Sequence, residues 1–253
     1  MPATIHLVRH AQGYHNLSKD NEKIPDPDIT LLGEKQCDEL RALFPQHDKI
    51  THIVSSPLRR ALQTSIRAFG HDHLFPIIAL EDLQEVSDAP SDTGSKVAVL
   101  RSEFGDKVDL RHVTEHWTDK TACSEFQADL TKLETRARRA RLWLRELARR
   151  PGADHIVVVA HGDYLHFLTD EWEGVPDLDF YVWKNAEYRS YQFKDVHNDD
   201  DNADLIETPE SWNRRQGDKC PPTQAQQTEW KRVVYKRLEP IYASMGLQKS
   251  AIQ

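Results

Sequence analysis

Twice this chain writes a run of branched aliphatics that breaks off at a histidine, first as Ile5-His6-Leu7-Val8-Arg9-His10 and again as Ile156-Val157-Val158-Val159-Ala160-His161-Gly162. Short apolar runs of this kind read as strands buried on both faces, which belong to parallel sheets. In an open α/β sheet, ligands bind outside the carboxyl ends of the strands. That rule puts Arg9, His10 and His161 at one crevice. A cation beside a titratable imidazole at such a place suits an oxyanion such as phosphate.

The chain between and beyond these runs alternates in the same sense. A polar loop over residues 17–28 holds Pro25 and Pro27, and a helix is expected from about Ile29 to Phe44 with Leu32, Cys37, Leu40 and Phe44 on its stripe. Ile50–Ser55 reads as a strand, followed by Ser56 as an N-cap, Pro57 at the first helical position and a helix ending at Gly70. Pro76–Leu80 reads as a third strand and leads to Glu81, Asp82 and Glu85. Periodicity is lost over 87–122 apart from a short helix near Lys96–Phe104, and the stretch is expected to form an inserted cap. Residues 124–150 carry apolar positions at three- and four-residue steps, with Arg136, Arg138, Arg139, Arg141 and Arg145 mostly off that stripe on a solvated face. Ala186–Phe193 reads as an outer strand, Asp195–Asp204 as an acidic and mobile stretch, and Ala225–Met245 as a last helix packing through Trp230, Val233, Val234 and Leu238. Strands separated by helices give an α/β fold, a three-layer α/β/α sandwich around a mostly parallel sheet. Residues 1–195 are expected to form the main domain, with the cap at about 86–122, and 196–253 a C-terminal helical extension packed on it or covering it.

Composition narrows the function. A net charge of −8 with 29% charged residues argues against a nucleic-acid surface, so any anion site is local and built from a few arginines. The three cysteines, Cys37, Cys123 and Cys220, are odd in number and lack metal spacing, which fits a reducing compartment. No apolar run approaches the roughly 18 residues of a membrane span, and Met1-Pro2-Ala3-Thr4 runs straight into the first strand without a charged n-region. A cytoplasmic protein is expected. His112 and His116 stand four apart, but lack a third ligand and the HExxH order, so they read as surface histidines.

Four strand ends therefore offer Arg9-His10, Arg60, Glu85 and His161. In Leu7-Val8-Arg9-His10 with Asn16 following, Thr30…Gly33…Gln36, Ser55-Ser56-Pro57-Leu58-Arg59-Arg60-Ala61, Leu83-Gln84-Glu85 and Val159-Ala160-His161-Gly162, the sequence resembles the histidine phosphatase superfamily and its phosphoglycerate-mutase-like members. The resemblance covers roughly residues 4–193. The family usually has glycine after the first histidine, where this chain has Ala11, another small residue. The resemblance points to Arg60 rather than Arg59, and to Glu85 as the acid. From the residues alone Glu81 and Asp82 are alternatives. The stretch Glu85–Ser95 resembles fungal members more than the classical mutases.

The chemistry implied is metal-independent phosphoryl transfer through a phosphohistidine. A neutral His10 attacks phosphorus with one ring nitrogen while the other is held by a backbone carbonyl. Arg9 and Arg60 present forked donors to the phosphoryl oxygens, with Asn16 and His161 as further phosphate ligands. Glu85 protonates the leaving oxygen and then activates water. The expected enzyme is a phosphatase of a small phosphorylated metabolite, with no cofactor or metal and neither nucleic acid nor membrane as partner. A phosphoglycerate-type mutase is the second reading, weakened because residues 17–28 lack the tryptophan-containing segment typical of those mutases. A module that binds phosphorylated ligands without turnover is the third.

Overall fold

A computed structural model describes residues 2–175, 183–197 and 201–250. Its centre is a seven-stranded sheet formed by β1 (Thr4–Arg9), β2 (His52–Ser55), β3 (Ile77–Leu80), β4 (Val108–His112), β5 (His155–Ala160), β6 (Tyr188–Phe193) and β7 (Leu205–Glu207), in the order β4-β3-β2-β5-β1-β6-β7. Neighbours from β4 to β1 pair in parallel, whereas β6 runs antiparallel to β1 and β7 antiparallel to β6. The two histidine-ended runs are the adjacent central strands, in register from Thr4 with His155 to Arg9 with Ala160. Both are buried on both faces, which is why they carry no alternation.

Helices cover the two faces. One face packs α4 (Leu130–Ala148), α5 (Gly162–Thr169) and α7 (Gln224–Ser250) against Leu7, Val54, Ile156 and Val158. The other packs α1 (Leu31–Leu43) and α2 (Arg59–Phe69) against Val8, Ile53, Val157 and Val159. A third cluster joins α2 to α3 (Val97–Phe104), Val108 and Trp117, and seats the inserted stretch on the sheet end. On the last helix Val234 and Leu238 are buried while Trp230 and Val233 are partly covered. The remaining helix, α6 (Pro209–Gln216), follows β7.

Several expectations are corrected. The helix expected to start at Pro57 starts at Arg59, because the Ser56 hydroxyl is turned to Leu58 N and His161 and a distant carboxylate, Asp26, accepts from Arg59 N at 2.9 Å instead. Leu32 is 51% exposed, and the inward stripe of α1 passes through Gly33 in its place. The inserted stretch contains β4, an edge strand with only Val108 fully buried, so it has neither a long apolar run nor clean alternation. The helix expected from 124 begins at Leu130, where Asp129 caps Lys132 N at 3.0 Å. Of its arginines, Arg136 and Arg145 are buried rather than solvated. The acidic stretch after 195 leads into β7, and its residues 198–200 lie outside the described residues.

Candidate active site

The carboxyl ends of β1, β5, β2 and β3 converge, and each delivers a polar side chain that the surrounding structure orients. His10 follows β1 directly. Its Nδ1 donates to the Ala11 carbonyl at 2.7 Å, which leaves the lone pair on Nε2, where Arg60 Nε donates at 3.3 Å. Burial, then the Arg60 guanidinium, hold His10 well below the usual imidazole pKa, so it is neutral. His161 follows β5, with its ring 5.1 Å from that of His10. Ser56, just past β2, holds its ring. The Ser56 hydroxyl oxygen accepts from Leu58 N at 3.3 Å and is hydrogen-bonded to His161 Nε2 at 2.8 Å. The other ring nitrogen, Nδ1, is enclosed and has no partner among the described residues.

Arg60 is completely buried in the first turn of α2. Besides its contact with His10, it donates to the Ser91 carbonyl at 2.5 Å and to Asp92 Oδ1 at 3.0 Å, and Asp92 is held in turn by Ser87 Oγ at 2.6 Å. Arg59 lies outside this cluster and pairs with Asp28 and Glu103 at the surface. Arg9, also buried, donates from Nη1 to the Trp183 carbonyl at 2.5 Å. Asn16 accepts from Gly13 N at 3.0 Å through Oδ1, and its neighbour Asn185 donates to the His10 carbonyl at 3.1 Å.

Glu85 lies beyond β3. Its Oε1 accepts from both Val86 N at 2.9 Å and Tyr164 N at 3.0 Å. Burial and then the carboxylate of Asp92 raise its pKa to about 7, against the opposing pull of Arg60. Behind it, Arg136 Nη2 and Lys120 Nζ approach the Glu85 carbonyl oxygen at 3.3 and 3.5 Å, and Arg136 stacks over the Tyr164 ring. Glu81 and Asp82 point elsewhere, Glu81 accepting from Thr114 N at 2.7 Å and Asp82 pairing with Arg139.

Sequence reasoning did not single out the partners of this cluster as site residues, nor His15, whose ring lies 5.3 Å from that of His10. It also passed over Asp163, two residues beyond His161, whose Oδ1 is enclosed and whose pKa is raised by burial and Glu85. His15 and Asp163 were signalled by adjacency to the motif histidines. Ser91, Asp92, Lys120 and Arg136 had no local signal. His112 and His116 are exposed, at the end of β4 and in the turn after it. Among the described residues no three His, Cys, Asp or Glu side chains are grouped to hold a metal ion, and no helix is long and apolar enough to cross a membrane.

An arrangement with one neutral imidazole, two buried guanidiniums, a second imidazole and a carboxyl group titrating near neutrality can bind a phosphoryl group and transfer it. Known proteins agree with the fold. The ecdysone phosphate phosphatase of Bombix mori, solved with tungstate, superposes with a TM-score of 0.54 at 13% identity, covering 87% of this chain and 94% of that one. A mycobacterial hydrolase superposes with a TM-score of 0.50 at 20% identity over 82% and 96% of the two chains. In sequence, phosphoglycerate mutase-like protein 1 of Arabidopsis thaliana is 46% identical over 79 residues, 26% of this chain and 27% of that protein. A second Arabidopsis thaliana phosphoglycerate mutase-like protein is 42% identical over 77 residues, 28% of its length, so the match spans about a quarter of these relatives. The model of the histidine phosphatase superfamily (branch 1) matches residues 5–199, and the chain belongs to that family.

Proposed function

We propose that this protein is a phosphatase that hydrolyses a small phosphorylated metabolite through a phosphohistidine on His10, without a metal ion. The observation that carries the reading is the protonation state of His10. Its Nδ1 proton is committed to Ala11 and its Nε2 lone pair lies beside the Arg60 guanidinium. Nε2 attacks phosphorus, the bond to the leaving oxygen breaks, and Glu85 delivers the proton that oxygen needs. Arg9 and Arg60 neutralise the charge on the phosphoryl oxygens, with the neutral His161 imidazole and the Asn16 amide as further hydrogen-bond donors. Glu85, now ionised, takes a proton from water as its oxygen attacks the phosphohistidine. The bond to Nε2 breaks and phosphate leaves. Free thiols at Cys37, Cys123 and Cys220 support a cytoplasmic location.

Trapping with labelled substrate tests this. A phosphoramidate, labile to acid and stable to alkali, is expected on the intact enzyme and absent from His10→Ala. Normal turnover by His10→Ala would overturn the mechanism. Because arginines supply the neutralising charge, turnover is expected to survive EDTA, and activity lost to chelation and restored by zinc or magnesium would refute that part. A phosphoglycerate-type mutase is the second reading, favoured by the names of the Arabidopsis thaliana relatives. Release of inorganic phosphate separates a hydrolase from transfer between hydroxyls of a phosphoglycerate.

A further inference from the structure

His10 is flanked by two imidazoles, and the mechanism above uses only one. The ring of His15 stands 5.3 Å from that of His10, tilted by 46°, a placement close to that of His161 at 5.1 Å and 56°. Its seat is made by Gly13. A Cβ on that residue would lie 2.8 Å from Nδ1 and Cε1 of His15, so only glycine lets the ring fold back from the short turn Tyr14–Leu17. Neither ring nitrogen has a hydrogen-bond partner among the described residues, and Nδ1 is enclosed. With Nδ1 closed off, Nε2 is the ring nitrogen that a ligand can reach. An unpartnered imidazole beside two arginines and a nucleophilic histidine has no structural bond to explain its polarity, and a ligand oxygen would supply one.

We propose that His15 is a third imidazole of the phosphate site, donating from Nε2 to an oxygen of the phosphoryl group that His10 receives. The inference rests on the phosphoryl-transfer reading of the site. Burial, then Arg60 and Arg9, depress the basicity of His15, with its pKa lowered to about 2, so it acts as a neutral donor that neither takes nor loses a proton. Like His161 it offers a hydrogen bond without charge, while the arginines carry the neutralisation.

Two substitutions separate the donor from the ring. His15→Phe keeps a planar ring over Gly13 without a donor, and His15→Gln keeps a donor without the ring. Binding of inorganic phosphate to the full chain is measured by titration calorimetry, alongside turnover of p-nitrophenyl phosphate. His15→Phe is expected to weaken phosphate roughly tenfold and slow turnover by about 10², with His15→Gln recovering most of both. Unchanged phosphate affinity in His15→Phe overturns the proposal. So does a His15→Gln protein as impaired as His15→Phe, because the ring's packing would then be responsible. The hydrolase reading fails separately, through absence of a phosphoramidate in the unmodified chain, whereas phosphate binding reports on His15 with or without turnover.

Discussion

At the scale of single residues the proposed chemistry turns on which oxygen of Glu85 holds a proton. Oε1 already accepts from two backbone N–H groups, so Oε2 is the oxygen left to carry it. With its pKa raised to about 7, Glu85 is protonated below that pH and ionised above it. His10, held well below the ordinary imidazole value, stays neutral through the same range. Both conditions for attack in the proposed mechanism are thus met on the acid side. The kcat/KM should fall as pH rises through about 7, with no second limb near 6.5 from His10. From the residues alone the profile would be a bell, because an unperturbed imidazole protonates near 6.5. Burial removes that limb. Glu85→Gln is expected to flatten the profile and slow an alkyl phosphate by about 10²–10⁴, and to cost much less for p-nitrophenyl phosphate, whose leaving group departs as an anion. Glu81→Gln and Asp82→Asn should show no such leaving-group dependence, since Thr114 and Arg139 occupy their carboxylates. A leaving-group-dependent loss in either, and not in Glu85→Gln, would move the acid. His10, Arg60 and His161 were legible because each sits in a contiguous motif at a strand end. Lys120 and Arg136 were not, because they stand 35 and 51 positions beyond Glu85 and meet its carbonyl only once the chain has folded.

Elements matter here through how closely α1 docks on the loop that carries His10. Gln12, two residues past His10, is knitted to the helix on three sides. Its carbonyl accepts from Thr30 N at 2.8 Å, its N–H donates to Gln36 Oε1 at 2.8 Å, and its side-chain oxygen accepts from Thr30 Oγ1 at 2.8 Å. Gly33 makes this possible, because a Cβ there would stand 2.2 Å from the Gln12 carbonyl oxygen. Gly33→Ala must push helix and loop apart, at roughly 1–3 kcal/mol of stability. Urea unfolding should show that loss, and kcat/KM should fall with it, whereas Leu32→Ala on the exposed face should change neither appreciably. Wild-type stability and activity in Gly33→Ala would show that the loop tolerates the shift. Element order was readable wherever a single periodicity dominated, as in β5 and α4. It failed in β4, whose five residues lie on a sheet edge with only Val108 fully buried, and at the start of α2, where the cap comes from Asp26, 33 residues upstream.

Across the whole molecule the buried titratable groups set the stability profile. His6 in the middle of β1 shares its ring nitrogens with Ser190 and His155, and burial pushes its pKa down to about 3. Burial likewise takes His166 to about 4 and holds His10 and His161 well below their ordinary value. Unfolding lets each return to about 6.5, so between 6.5 and the folded value the unfolded chain binds more protons. Stability rises with pH there and is lost as pH falls. Glu85 and Glu171 act oppositely. Burial raises both to about 7, so the folded chain binds more protons from about 7 down to their ordinary carboxylate value near 4.5. Over that window they offset part of the histidine loss. Below it the offset stops growing while His6 continues to lose stability down to about 3. Four histidines outweigh two carboxylates, so unfolding free energy should fall as pH drops below about 6.5 and fall more steeply below about 4.5. His6→Gln, which keeps polar contacts without titrating, should reduce that acid slope by up to about 1.4 kcal/mol per pH unit, one proton's worth. Urea titrations at half-unit steps from pH 3.5 to 7.5 measure it. An acid slope identical in His6→Gln and the wild-type chain would show that His6 is not held neutral in the folded sheet.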